Sequence, residues 1–367
     1  MKWLRREPTA VDLDSAEAQA LRDAWDRACR GAGLVRKVDT VSGGTEIVPA
    51  LALVDLAERA LHVRLEPGMT VGDVRGLAPR IAPYLGAWGL RVEPIGNGAS
   101  VVVTLLQADP LGTGPLPCPD AGPVLIGVDE SGSRLIVDDP SSIGHAVIVG
   151  QSGSGKSGFL YALLSAYARY KRAGYPIRVD GIDPSGILLR PFPGSVLGFA
   201  DPGAVEEYLT RAVAEMDDRI SRIPANADEL PQGYDYPLRV VTVEEYPAVL
   251  RYLDAIDPKM GKRIRALVAR LLSESRKAGM RVILVAQRAD ASLIGGFERA
   301  QCSFRLSYRS DPDAVKMLHD ADPSVIAEHS RALPGIGLLS VPGRSLIRVR
   351  TPWLAGEYAE YVRRVNK

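Results

Sequence analysis

No apolar run in the 367 residues approaches the roughly 18 to 20 needed to cross a bilayer as a helix, so the sequence predicts no membrane span. Cysteine is scarce. Cys29, Cys118 and Cys302 are odd in number and far apart, without metal-type spacing, which argues against a disulfide framework or a zinc site and fits a reduced, cytoplasmic setting. An excess of one charge is missing too: 45 Lys and Arg stand against 44 Asp and Glu, a net charge of +1. This excludes a protein that coats nucleic acid by general basicity and leaves any such contact to a local patch. The start, Met1-Lys2-Trp3-Leu4-Arg5-Arg6, is basic, but Glu7, Pro8 and Asp12 follow where a secretory signal needs an apolar core. What is present is ordinary globular composition, 46% hydrophobic and 24% charged, in a chain long enough for two or three domains.

One stretch organises the rest. Gly150-Gln151-Ser152-Gly153-Ser154-Gly155-Lys156-Ser157 lies between an apolar run, Ala146 to Val149, and a helix-forming run from Phe159 to Lys171. A strand-turn-helix unit with glycines in the turn lets backbone N–H groups point inward beside the positive end of the helix dipole, which makes an anion cradle. Lys156 is expected to reach the outer phosphates of a nucleoside triphosphate and Ser157 to ligate Mg²⁺, with all eight residues lining the nucleotide.

Upstream, the pattern predicts a small α+β domain over residues 1–110. Residues 14–30 read as an amphipathic helix capped by Asp14, with Ala18, Leu21, Trp25 and Ala28 on one stripe and Gly31 and Gly33 at its end. Leu61-His62-Val63-Arg64-Leu65 alternates like a strand with His62 and Arg64 outward. Thr70 and Asp73 form a capping box for a helix that Pro79 and Pro83 must kink or divide, and Gly96-Asn97-Gly98 joins two strands of a hairpin. Residues 111–122, rich in Pro and Gly, read as a linker to a larger domain over 123–367. There a hairpin (Val124 to Val128, Arg134 to Val137) precedes alternating strands and helices, the pattern of a mainly parallel sheet covered on both faces. Ligands of such sheets gather at the carboxyl ends of the strands.

Two strand ends carry chemistry. Leu238 to Val243 ends in Glu244-Glu245, which suits Mg²⁺-assisted hydrolysis: Glu244 is assigned to the metal and Glu245 to the attacking water. The other reading is a solvated acid pair. Met280 to Ala286 ends in Gln287-Arg288; a neutral amide there can bond both the terminal phosphate and the water, or simply cap the next turn. Residues 251–281 hold a surplus of +6, either a solvated helix face or a surface for phosphates or a neighbouring subunit.

Together these motifs resemble the FtsK/SpoIIIE family of DNA-translocating ATPases. The matching pieces are His145, Gly150 to Ser157, Ile182-Asp183-Pro184, Val243-Glu244-Glu245, the run Ala278 to Arg288, Phe304-Arg305-Leu306-Ser307-Tyr308 before Asp311, and Leu333-Pro334-Gly335-Ile336-Gly337. They occur in the family's order and cover roughly residues 120–350, and Leu65-Glu66-Pro67-Gly68 resembles part of the smaller domain that precedes the motor. The whole chain most resembles translocases of actinobacterial mobile elements. The resemblance implies a RecA-like P-loop NTPase fold that uses ATP and Mg²⁺. It also implies a homo-oligomeric ring, typically a hexamer, with double-stranded DNA through its centre in plasmid transfer or chromosome partition. A neighbour's arginine would complete each site, with Arg305 the first candidate and Arg276 the second.

The chain departs from the family pattern in having Glu244 where the metal-binding acid is usually Asp, and Ser185 and Leu188 where Lys and Glu are usual. No membrane segment precedes the motor, and nothing after residue 350 is long enough for a winged-helix DNA-reading domain, so sequence-independent backbone binding is expected. Two other classes remain open: a protein-secretion ATPase of the type VII kind, and a nucleotide-gated scaffold with a degenerate site.

Overall fold

A computed structural model describes residues 15–40, 43–112, 114–287 and 296–367 and divides into two units, Met1–Thr113 and Gly114–Lys367. The smaller begins with α1 (Ala16–Ala32), capped by Ser15, whose Oγ accepts from the Ala18 N–H; the expected cap, Asp14, lies outside the described residues. Gly31 stays inside α1, and Gly33, at φ 85°, ends it, because a left-handed residue closes the last turn without a Cβ penalty. Buried Ala18, Trp25 and Ala28 form the inner stripe, and the Trp25 indole N–H donates to the Pro49 carbonyl at 3.0 Å.

A hairpin not read from the sequence follows, β1 (Arg36–Thr40) with β2 (Gly43–Ile47). Then come β3 (Ala50–Asp55), β4 (Ala60–Arg64), α2 (Val71–Ile81), a 3₁₀ turn (Ala82–Leu85), β5 (Gly89–Ile95) and β6 (Ser100–Leu106). The Thr70–Asp73 capping box is formed, and the change to a 3₁₀ turn at Ala82 divides the helical stretch ahead of Pro83. The strands pair antiparallel in the order β3-β4-β6-β5, with Leu61, Val63, Val101 and Val103 turned into the core.

The larger unit contains β7 (Leu116–Pro117), β8 (Val124–Asp129), β9 (Arg134–Val137), β10 (Ala146–Val149), α3 (Lys156–Arg172), β11 (Ile177–Asp183), β12 (Val196–Leu197), α4 (Pro202–Ser221) and β13 (Leu238–Val243). It continues with α5 (Tyr246–Ile256), α6 (Pro258–Glu274), β14 (Met280–Ala286), α7 (Gly296–Gln301), β15 (Phe304–Ser307), α8 (Pro312–His319), α9 (Pro323–His329), β16 (Ile336–Ser340), β17 (Ile347–Arg350), β18 (Pro352–Trp353) and α10 (Glu357–Asn366). Within the stretch expected as a linker, β7 pairs with β18 as a small parallel ladder.

Ten strands form one sheet in the order β12-β11-β13-β14-β10-β15-β16-β17-β8-β9. The pairings from β12 to β15 are parallel, and those from β15 onward are antiparallel. Strand alternation gives two cores: Val147, Val149, Val241 and Val243 meet α4, α5 and α6, whereas Ile148 and Val240 meet α3, with Tyr361 of α10 in the same cluster. This is the expected α/β sheet, and it delivers Gly150, Asp183, Glu244, Gln287 and Tyr308 to one edge. Gly181 sits where β11 and β13 run closest: a Cβ there would lie 1.8 Å from the Thr242 carbonyl oxygen. Gly181→Ala is therefore expected to destabilise the larger unit by about 3 kcal/mol or more. A denaturation midpoint unchanged from wild type would contradict this close approach.

Candidate nucleotide site

The loop after β10 is held from outside. Gly150 N–H donates to the Ala286 carbonyl, Gln151 N–H to the Arg309 carbonyl at 2.9 Å, and Gly335 N–H to the Ser154 carbonyl at 2.9 Å. Two glycines are required by contact. A Cβ on Gly150 would lie 2.7 Å from the Tyr308 Cβ, and one on Gly155, which has φ 104°, would lie 2.4 Å from the Gly335 nitrogen. Tyr308 and Pro334-Gly335, matched in the sequence only as family motifs, and Arg309 beside them therefore shape the loop directly. Among the described residues no side chain caps α3, so its first N–H groups remain for an anion. Ser157 lies exposed in this first turn.

Lys156 turns toward the next acid-bearing strand. Its Nζ lies 2.9 Å from Glu245 Oε1, with side-chain exposures of 8% and 19%. The other Glu245 oxygen accepts the Gln287 backbone N–H at 3.3 Å. Glu245 itself has φ 48° and ψ 45°, a left-handed conformation unusual for a side chain this long, and it starts α5. The structure thus brings Lys156, Glu245 and the Gln287 backbone together. β14 lies between β10 and β13, so Gln287 stands between the loop and the acid pair.

Glu244 is different. One of its oxygens, Oε2, is buried without a hydrogen-bond partner among the described residues. Burial, then the charges of Glu245 and Asp183, push its carboxyl up to about 7 against the opposing pull of Lys156. Asp183 accepts from the Ser185 N–H and hydroxyl (2.9 and 2.6 Å) and from the Gly186 and Leu189 N–H groups. Ser185 is thereby used to fold the turn after β11, and Leu188 is buried in the core, so both departures from the family pattern have local structural roles.

The residues fit a magnesium nucleotide. Ser154 Oγ, like Glu244 Oε2, is buried and unpartnered among the described residues, and the glycine cradle would lose its space to any Cβ at Gly150 or Gly155. No cluster of three or more His, Cys, Asp or Glu side chains suited to a metal occurs among the described residues. Mg²⁺ needs none, because it binds through one or two protein oxygens plus phosphates and water; Ser157 and Glu244 would be the residues to hold it.

The other candidates lie elsewhere. Arg305 is in the middle of β15, opposite Val147 and Ser340, with its Nε buried. Arg276 is exposed just ahead of β14, at the amino edge of the sheet and away from the loop. Arg288 lies outside the described residues. His145 accepts the Val282 N–H through Nδ1 at 3.0 Å, tying β10 to β14. The basic surplus of 251–281 is reduced but not cancelled: Arg263 pairs with Glu206 and Arg270 with Asp217, acids from outside the segment, while Arg265 pairs with Asp254 and Arg270 with Glu274 inside it.

Residues 118–227 match the model of the FtsK/SpoIIIE family. This segment is similar to that family. DNA translocase FtsK of Chlorobaculum tepidum is 24% identical over 329 residues, and that of Campylobacter jejuni 25% over 246. These alignments cover 83% and 63% of the chain but span 40% and 25% of the relatives. Among solved structures, the pCW3 conjugation coupling protein TcpA, in its monomer form with ATPγS, aligns with a TM-score of 0.60 at 16% identity, over 95% of this chain and 99% of that one. EssC (ATPases 2 and 3) from Geobacillus thermodenitrificans gives a TM-score of 0.55 at 17% identity, over 69% of this chain and 50% of that one. The shared fold is that of the P-loop NTPases.

Burial of Glu244 has a measurable sign. The folded unit keeps a proton that the unfolded chain releases, so stability falls as pH rises from the ordinary 4.5 through about 7. Without nucleotide, Glu244→Gln is expected to match wild type near pH 4.5 and to exceed it at pH 8 by about 1–3 kcal/mol. Denaturant melts at the two pH values check this; no difference at pH 8 would mean that Glu244 ionises like a solvated acid.

Proposed function

We propose that the chain is a Mg²⁺-dependent ATPase that moves double-stranded DNA through a ring of its own copies, by sequence-independent backbone contacts and in a cytoplasmic setting. The observation that carries the hydrolytic part is the Lys156–Glu245 contact, which sets a phosphate-binding cation and a candidate base against each other at the carboxyl edge of the sheet. The motif order and the FtsK relatives favour DNA as the transported polymer. No helix among the described residues is long and apolar enough to cross a membrane.

In this reading the phosphates settle on the N–H groups at the start of α3 and draw Lys156 away from Glu245. Released from the ion pair, Glu245 accepts the proton of the attacking water, while the Gln287 N–H keeps its carboxylate in place and the Gln287 amide reaches the terminal phosphate. Ser157 and Glu244 would hold Mg²⁺, which would supply charge neutralisation at the phosphates. Arg276, being exposed, is better placed than half-buried Arg305 to enter a neighbour's site in a hexamer.

Phosphate release with and without duplex DNA at low salt tests the proposal. DNA is expected to stimulate wild type. Lys156→Ala is expected to abolish turnover, and Glu245→Gln to lower it by roughly 10²-fold or more while retaining bound nucleotide. Ring-forming protein that DNA fails to stimulate would sink the translocase reading, and wild-type turnover in Glu245→Gln would move the base elsewhere.

A further inference from the structure

The chain between β17 and α10 crosses the start of α3 as a strap, and its backbone is fixed at several points. The Thr351 N–H donates to the Gly335 carbonyl at 2.9 Å, and the Tyr308 hydroxyl donates to Thr351 Oγ1 at 2.8 Å. Pro352 and Trp353 pair with Leu116 and Pro117, the Trp353 carbonyl accepts the Cys118 N–H at 3.0 Å, and Leu354 is buried. On this rigid support the Trp353 side chain remains 37% exposed. It lies against Gly158, where a Cβ would come within 3.2 Å of the indole Cδ1.

Gly158 is the residue after Ser157, in the first turn of a 17-residue helix. Glycine weakens a helix, so its place there needs a reason. The absent side chain lets a broad aromatic ring approach the phosphate-binding turn. Direction supports the same use. Lys156 reaches toward β13, which fixes the terminal-phosphate side of the cradle. The strap enters from the β15 side, through Gly335 and Tyr308, and β13 and β15 lie on opposite sides of β10 in the sheet. A triphosphate with its outer end at Lys156 and Glu245 carries its nucleoside toward the strap. An indole is the side chain best suited to meet a base face to face, and its large π-surface favours a purine over a pyrimidine.

We propose that Trp353, laid over Gly158 at the start of α3, is the platform on which the nucleobase of the bound triphosphate stacks, giving the site a preference for purines. This rests on the nucleotide-site reading above and adds the subsite that recognises the base.

Equilibrium binding of non-hydrolysable ATP and UTP analogues and of inorganic tripolyphosphate, each with Mg²⁺, tests it in the full chain and in Trp353→Ala and Trp353→Phe. Trp353→Ala is expected to weaken the ATP analogue by about 5- to 100-fold, to leave tripolyphosphate unchanged and to bring the purine preference close to one. Trp353→Phe is expected to keep most of the affinity and to lose the tryptophan fluorescence change on nucleotide binding. An ATP-analogue affinity within about twofold of wild type in Trp353→Ala overturns the stacking proposal and leaves the phosphate site standing. Equal loss of tripolyphosphate also overturns it, because the ring would then only support α3. If Trp353→Ala fails to fold, a fluorescence change that persists in Trp353→Phe overturns it instead. Wild type that binds neither ATP analogue nor tripolyphosphate removes the nucleotide site and the stacking proposal together.

Discussion

The contact between Lys156 and Glu245 joins two parts of the chain that are 89 residues apart and sets the state of the candidate site. It neutralises a cation and an acid that are both largely removed from water, where neither would be tolerated alone. It also occupies the two groups that the proposed chemistry needs. Glu245 is held in a left-handed backbone conformation, anchored on one side by Lys156 and on the other by the Gln287 N–H. Such strain persists only where neighbours impose it, and here they are the groups that a phosphate would rearrange.

The rest of the larger unit supplies the rigidity this contact requires. β10, β13 and β14 are fully buried between two cores, so their carboxyl ends are positioned by packing and not by loop chemistry. The antiparallel strands beyond β15 return the chain to the loop, where Gly335 and Thr351 brace it from the far side. Residues distant in sequence thereby converge on one turn of backbone.

Much of this was legible from residue type and period. The loop, the strand before it and the helix after it follow from glycine spacing and an apolar run; the alternation from 145 onward gave the parallel sheet; and the acids at the end of β13 were placed by the strand that carries them. Several things were not legible, β16, β17, α7 and α9 among them. Helices α5 and α10 lay hidden because α5 begins inside the acid motif and α10 has Tyr361 as its one buried residue. The hairpin of β1 and β2 is polar and glycine-containing, so its alternation is weak. The fate of the basic segment depended on carboxylates from other elements, Glu206 and Asp217 among them, which no local count can pair. Trp353, beside Gly158, likewise carries no signal in the sequence, because the two are brought together only by the strap.

The exchange of Lys156 from Glu245 to phosphate is the most direct point of attack. Calorimetric titration of a non-hydrolysable ATP analogue with Mg²⁺ into wild type and Glu245→Gln measures it, since the substitution removes the competing carboxylate charge and keeps the shape. Tighter binding in Glu245→Gln, by roughly 3- to 30-fold, is expected if phosphate must displace the ion pair. Equal or weaker binding would contradict that exchange.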